Sequence, residues 1–166
     1  MKKVLYLLSI GVITLLTLSG CSKDDKIDPR FFLGEYVGNC SIEYYDSEGE
    51  RLRSLDEEGV DCSVRISENV NISNELLIYL EITGPERNRI VKMSCVTDDF
   101  DCGTTVEKED YCHLKSGHSL IVKESSFDDT RFPDSELQIS KKDGVFKLRL
   151  YLGSKKSTQI RVRANK

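Results

Sequence analysis

The sequence predicts an all-β domain, mainly antiparallel, with eight or nine strands arranged as a meander barrel or a sandwich. Apolar and polar residues alternate in short runs, which is the pattern of strands with one buried face. Glycine, proline, aspartate and asparagine separate these runs, and Asp143-Gly144 between two of them is a strong hairpin signal. Because no crossover helices are predicted between the runs, consecutive strands are expected to pair antiparallel.

The predicted strands follow one another from residue 35 to the C-terminus. A strand rich in tyrosine and valine at 35–45 precedes an acidic loop at 46–58 and a second strand at 60–67. Further strands are predicted at 76–82, 90–97, 120–124, 137–139, 146–152 and 160–163. Closure of a sheet removes its exposed edges, so a meander of this length favours a barrel.

The segment 104–116 has two interpretations. Thr104, with Glu107 three residues later, fits the capping box of one short helix. The alternative is a strand that enters a hairpin at Ser116-Gly117 and pairs with the residues that follow. Asp110 would interrupt the apolar face of the helix, which favours the hairpin.

The first twenty residues have the features of a secretion signal. Lys2 and Lys3 precede an uncharged apolar run at 4–18, which is too short to span a bilayer as a helix. Residues 18–21, Leu-Ser-Gly-Cys, then place small side chains directly before a cysteine. This pattern resembles the lipobox of bacterial lipoproteins, and the resemblance implies cleavage before Cys21 and membrane attachment through acyl chains on its thiol.

Residues 21–30 are predicted to be a lipidated, flexible tether, followed by a single β domain over 31–166. Lys23, Asp24 and Asp25 come directly after the start of the mature chain. They resemble the lysine-acidic-acidic export tag of Bacteroidota lipoproteins. The resemblance implies a protein that is lipid-anchored in the outer membrane and exposed on the cell surface.

Charge is unevenly distributed along the mature chain. It contains 22 basic and 28 acidic residues, a net charge of −6, which argues against nucleic acid as a partner. Lys147, Arg149, Arg161 and Arg163 alternate with apolar residues in the last two predicted strands, so their side chains are expected to share one outward face. Such a basic stripe suits the phosphate or carboxylate groups of an anionic glycan or an envelope protein. The alternative is an ordinary solvated strand face.

Five cysteines remain in the mature domain, and an exported chain lies where disulfides persist. Cys40 and Cys62 fall on the apolar faces of consecutive predicted strands, which favours a bridge between them. Cys95 and Cys102 flank an acidic turn and form the second predicted pair, which leaves Cys112 as the unpaired thiol. Pairing of Cys112 with Cys95 or with Cys102 is the alternative.

Residues 33–38, Leu-Gly-Glu-Tyr-Val-Gly, resemble the first strand of lipocalin-like and calycin-like barrels, which implies a carrier of a small apolar ligand. The chain lacks G-x-S-x-G, S-x-x-K and H-E-x-x-H, so no catalytic residue, metal ligand or cofactor is predicted. The sequence therefore predicts a non-catalytic envelope lipoprotein whose β domain binds an external or envelope partner. A lipocalin-like carrier is the alternative, and a hydrolase is the remote one.

Overall fold

The computed structural model describes residues 27–114, 120–127, 135–153 and 158–166. Within these ranges the chain forms ten strands and three short 3₁₀ turns, which confirms the predicted all-β, antiparallel class. The strands are β1 (Gly34–Tyr44), β2 (Glu57–Glu68), β3 (Glu75–Ile82), β4 (Arg89–Val96), β5 (Phe100–Thr104), β6 (Asp110–Leu114), β7 (Ile121–Ser125), β8 (Glu136–Lys142), β9 (Val145–Leu152) and β10 (Thr158–Asn165).

All ten strands belong to one curled sheet with the order β5-β6-β8-β9-β10-β1-β2-β3-β4-β7. β1 lies between β2 and β10, so the first and last strands of the chain are neighbours, as in a meander barrel. The sheet ends at β5 and β7, which gives a half-barrel rather than a closed one. Gly38 permits the close approach of β10, because a Cβ there would lie 2.2 Å from the carbonyl oxygen of Arg163.

The strand that the sequence did not predict is β5, which follows β4 after the 3₁₀ turn Thr97–Asp99. β4 pairs with β7, and β5 pairs with β6. β6 also pairs with β8 on its other side. The β5–β6 hairpin therefore lies at the opposite edge of the sheet from β4 and β7.

The helix considered for 104–116 is wrong. Thr104 pairs with Asp110 at the end of the β5–β6 hairpin, and the intervening turn is closed by a hydrogen bond from Thr105 N to the Glu109 carbonyl at 2.9 Å. Lys108 adopts a left-handed conformation, with φ of 61°, which a continuous helix does not allow. The hairpin expected around Ser116-Gly117 falls outside the described residues. β6 pairs with β5 and β8, and β7 pairs with β4.

The predicted Asp143-Gly144 hairpin is confirmed. Both residues have positive φ, 51° and 82°, as a two-residue type I′ turn requires.

The hydrophobic core lies beneath the sheet, and alternate apolar side chains of β8 and β9 contribute to it. At its centre the rings of Tyr36 and Phe146 stack with centroids 3.9 Å apart, and the Tyr36 hydroxyl donates to the Phe32 carbonyl at 2.8 Å.

The last residues of the predicted tether are part of the folded domain. Asp28 caps the 3₁₀ turn Pro29–Phe32 by accepting a hydrogen bond from the Arg30 backbone N–H at 2.8 Å. The Arg30 side chain donates to Glu68 at 2.6 Å and to Asn74 at 3.0 Å. These contacts attach residues 28–30 to the end of β2 and to the loop that follows it, so these last residues of the predicted tether belong to the folded domain.

Candidate functional site

A basic groove lies on the polar face of the sheet, across β6, β8, β9, β10 and β1. Its volume is about 880 Å³. Thr105 and Glu109 from the β5–β6 turn line one side, and Glu58 and Gly59 at the start of β2 line the other. All four members of the predicted basic stripe line it, namely Lys147, Arg149, Arg161 and Arg163.

Strand register brings the four cations together. Arg149 is directly opposite Arg161, and Lys147 is directly opposite Arg163, in the antiparallel pairing of β9 with β10. Side chains that are opposite each other in such a pair have Cβ atoms roughly 5 Å apart. The alternation that the sequence predicted thus places four positive charges on two adjacent strands. Two arginines opposite each other repel, and an anion bound between them would relieve that repulsion.

Two of the cations are already paired within the protein. Lys147 Nζ lies 2.9 Å from Glu109 Oε1, and Arg161 Nη1 lies 2.9 Å from the buried Glu43. Glu109 also accepts a hydrogen bond from Ser140 Oγ at 2.8 Å. The ammonium of Lys147 and this hydroxyl lower the pKa of Glu109 below its usual range. Lys147 and Arg161 therefore help to shape the groove.

The other two cations are available for a ligand. Arg149 and Arg163 are exposed, and neither side chain has an ion pair or a hydrogen bond within the part of the chain that the structure describes. They occupy diagonal positions on β9 and β10, and such neighbours lie about 7–8 Å apart. Each guanidinium presents a fork of donors suited to carboxylate or phosphate oxygens.

Two aromatic side chains extend the groove beyond the cations. The rings of Tyr111 and His113 on β6 lie nearly parallel, 11° apart, with centroids separated by 6.0 Å. On the neighbouring strand β8, Ser140 is opposite Tyr111 and Gln138 is opposite His113. Ser140 and Gln138 therefore line the groove between the two rings and the cations. The groove thus combines a flat aromatic surface, uncharged hydrogen-bonding groups and positive charge.

The sequence reasoning missed the β6 and β8 part of the groove. Tyr111 and His113 flank a buried cysteine, and Gln138 and Ser140 flank the buried Ile139, so both pairs follow the same alternation as the basic stripe. This alternation lies within each strand, so the outward direction of these four side chains could have been predicted from the sequence. Their juxtaposition with β9 depends on the strand order, which the sequence does not state.

A second charged cluster lies away from the groove. Arg89 donates from its two terminal nitrogens to both oxygens of Glu57, each at 2.6 Å, and Tyr44 donates to Glu57 at 2.9 Å. Arg89 lowers the pKa of Glu57, while burial, together with Glu57, raises the pKa of Tyr44 to about 12. The Arg89 guanidinium also lies 5.5 Å from the centre of the Phe127 ring. These groups satisfy one another, so the cluster is structural.

The structure contains one disulfide among its described residues, between Cys102 and Cys112. The prediction that Cys112 is the unpaired thiol is wrong, and so is the Cys95–Cys102 bridge, since Cys95 is a buried free cysteine. Cys102 and Cys112 are directly opposite each other on β5 and β6, with Cα atoms 4.1 Å apart. This pairing is the one that the sequence left as an alternative.

Cys40 and Cys62, predicted to be bridged, are free and buried thiols in the structure. Cys40 is opposite Val60 and Cys62 is opposite Gly38, so the two cysteines are diagonal neighbours. The register therefore does not give this pair the directly opposed positions that Cys102 and Cys112 occupy. The neighbouring Cys62 thiol lowers the pKa of Cys40, while its interaction with Cys40, together with burial, raises the pKa of Cys62.

Replacing Cys102 and Cys112 together by serine is expected to lower the free energy of unfolding by about 2–3 kcal/mol, because the closed loop no longer restricts the unfolded chain. Urea unfolding followed by circular dichroism measures this change. A reductant should bring the wild-type protein to the stability of the double variant and leave the variant itself unchanged. Equal stability of the wild-type protein with and without reductant would contradict the prediction.

The residues predicted for lipidation and export, Cys21, Lys23, Asp24 and Asp25, lie outside the described residues, so their roles stay predictions. Among the residues that the structure describes, no helix is long and apolar enough to cross a membrane. Within the same ranges, no group of three or more histidine, cysteine, aspartate or glutamate side chains is arranged to hold a metal ion.

Comparison of the chain with protein-family models, with curated proteins and with solved structures finds no match. The resemblances to lipoprotein signals and to lipocalin-like domains therefore stay predictions from the residues that carry them.

Proposed function

We propose that this chain is a non-catalytic lipoprotein of the outer membrane, anchored through Cys21 and exposed at the cell surface, whose β domain binds an anionic glycan. The observation that carries the binding proposal is the groove of about 880 Å³ into which four cations project. Arg149 and Arg163 have no partner among the described residues, so their charges are free to meet a ligand.

The aromatic surface favours a glycan over an acidic protein. Sugar rings have an apolar face that packs on flat aromatic rings, and Tyr111 and His113 present such a surface beside the cations. From Tyr111 the pairing runs through Ser140 to Lys147, a distance of two strands, or about 10 Å. One sugar ring on the aromatic surface would place the acidic group of the next sugar near the cations.

A carrier of an apolar ligand needs an apolar cavity of at least about 300 Å³. Buried side chains occupy the apolar face of the sheet, where Tyr36 and Phe146 stack directly on each other. The groove lies on the outer face, and a smaller cavity of about 210 Å³ beside Arg30 and Asn74 is lined by polar residues together with Val70, Ile72 and Leu76. These observations support binding on the outer face rather than inside the half-barrel.

Hydrolysis of a glycan requires a carboxylic acid whose pKa is raised. The Lys147 ammonium instead lowers the pKa of Glu109, one of the two glutamates lining the groove. This shift makes Glu109 a poor general acid.

The binding proposal is tested by titrating the detergent-solubilised mature protein with polygalacturonate, whose sugars carry carboxylates, and with neutral dextran. Calorimetry should show saturable binding of polygalacturonate that weakens as salt rises from 50 to 500 mM, because salt screens charge pairs at the surface. Dextran should not bind measurably. Equal affinity for both polymers, or binding that salt does not change, would contradict the proposal.

A further inference from the structure

Two aliphatic side chains project from the loop between β2 and β3, at the end of the domain where the chain begins. Val70 is 95% exposed and Ile72 is 53% exposed. Phe31, in the 3₁₀ turn that precedes β1, is 50% exposed and lies beside Arg30, which contacts this loop. Single exposed apolar residues are ordinary, but these three share one end of the molecule.

Hydrogen bonds hold the loop in a defined conformation. Asn69 accepts from the Asn71 N–H at 3.0 Å, and its own N–H donates to the Glu75 carbonyl at 2.8 Å. Asn74 adopts a left-handed conformation, with φ of 64°, and its carbonyl accepts from Thr97 N at 2.7 Å. These hydrogen bonds fix both ends of the loop, which leaves Val70 almost fully exposed and Ile72 about half exposed beside the small cavity near Arg30.

The short distance along the chain from Cys21 to this end of the domain indicates what lies next to it. Only residues 22–28 separate Cys21 from the 3₁₀ turn at Pro29, and a chain of that length spans at most about 25 Å. An acylated Cys21 would therefore hold this end of the domain close to the bilayer. The Arg30 contacts with Glu68 and Asn74 link the β2–β3 loop to the same point.

We propose that Val70, Ile72 and Phe31 insert into the interfacial region of the membrane that holds the lipid anchor, and so fix the orientation of the domain. This inference rests on the proposed lipidation of Cys21. Burial of the three side chains in the acyl boundary removes apolar surface from water without a spanning segment. The lipid anchor keeps the domain at a high effective concentration next to the membrane, so even weak contacts between these side chains and the lipid suffice to orient the domain.

The chain has no tryptophan, so a single tryptophan reports its own surroundings. Ile72→Trp and Val70→Trp variants of the lipidated protein are reconstituted into phosphatidylethanolamine–phosphatidylglycerol vesicles that contain nitroxide-labelled lipids. Leu55→Trp is the matched control, because Leu55 is 54% exposed and lies in the loop between β1 and β2, at the other end of the strands. We expect a blue shift and at least twofold quenching for the two loop variants, and neither for the control.

Palmitate labelling of the wild-type protein and of Cys21→Ser separates the anchor from the loop contact. A labelled wild-type chain whose Ile72→Trp and Val70→Trp variants are no more quenched than Leu55→Trp overturns the loop contact and leaves the anchor intact. A wild-type chain without label overturns the anchor and the loop contact with it. A blue shift of the loop variants without quenching by lipid means that protein covers the loop, and it also overturns the inference.

Discussion

Replacement of Arg149 and Arg163 together by glutamate is expected to weaken binding of an acidic glycan by a factor of about 100 or more. In the proposed complex each arginine would contribute a charge-assisted hydrogen bond, for which about 1.5–3 kcal/mol is typical, and each glutamate would add repulsion. Calorimetric titration with polygalacturonate measures the loss. The fold should be unaffected, because neither arginine has a partner within the described ranges.

A matched control replaces two other cations on the outer face of the sheet by glutamate, so that the net charge changes by the same amount. Arg65 on β2 and Lys92 on β4 are exposed cations outside the groove, and each forms a surface ion pair, with Glu35 and Glu124 respectively. The Arg65→Glu, Lys92→Glu variant has the same net charge as the groove variant. If it loses as much affinity as the groove variant, the overall charge governs binding and the groove does not.

Replacement of Phe146 by alanine is expected to lower the free energy of unfolding by about 3–5 kcal/mol, the largest effect of any single change considered. Phe146 is completely buried, and its ring stacks on Tyr36, so the truncation leaves a cavity under the pairing of β9 and β10. Urea unfolding, followed by the tyrosine signal in near-ultraviolet circular dichroism, measures the loss.

Two further variants identify the cause of that destabilisation. Phe146→Leu keeps most of the apolar volume and should lose about half as much stability. Arg149→Ala changes an exposed residue on the same strand and should leave stability within about 0.5 kcal/mol of the wild-type value. A Phe146→Ala protein as stable as Arg149→Ala would contradict the assignment of this ring to the centre of the core.

The strands of this protein were predictable where the alternation of apolar and polar residues within one strand was sufficient to identify it. β9 alternates fully buried leucines with exposed Lys147 and Arg149, and its outward face was identified from that alternation alone. The Asp143-Gly144 turn was predictable for the same reason, since the two residues tolerate the positive φ that the turn requires.

Prediction failed where the answer depends on the register between strands. Cys40 and Cys62 were correctly placed on buried strand faces, but the pairing of β1 with β2 makes them diagonal rather than opposed. Cys102 and Cys112 are opposed because the β5–β6 turn closes at Thr105 and Glu109. A shift of one residue in either turn would change these pairings, so residue spacing alone does not decide them.

The sequence by itself determined the strand class and the outward direction of the basic stripe, because each follows from neighbouring residues. The tertiary structure decided which strands meet. It placed β6 beside β8 and β10 beside β1, and so formed a groove from residues as distant as Asn39 and Arg163. Alternation is a property of one strand, whereas strand order and register arise from competition among many pairings of similar local energy.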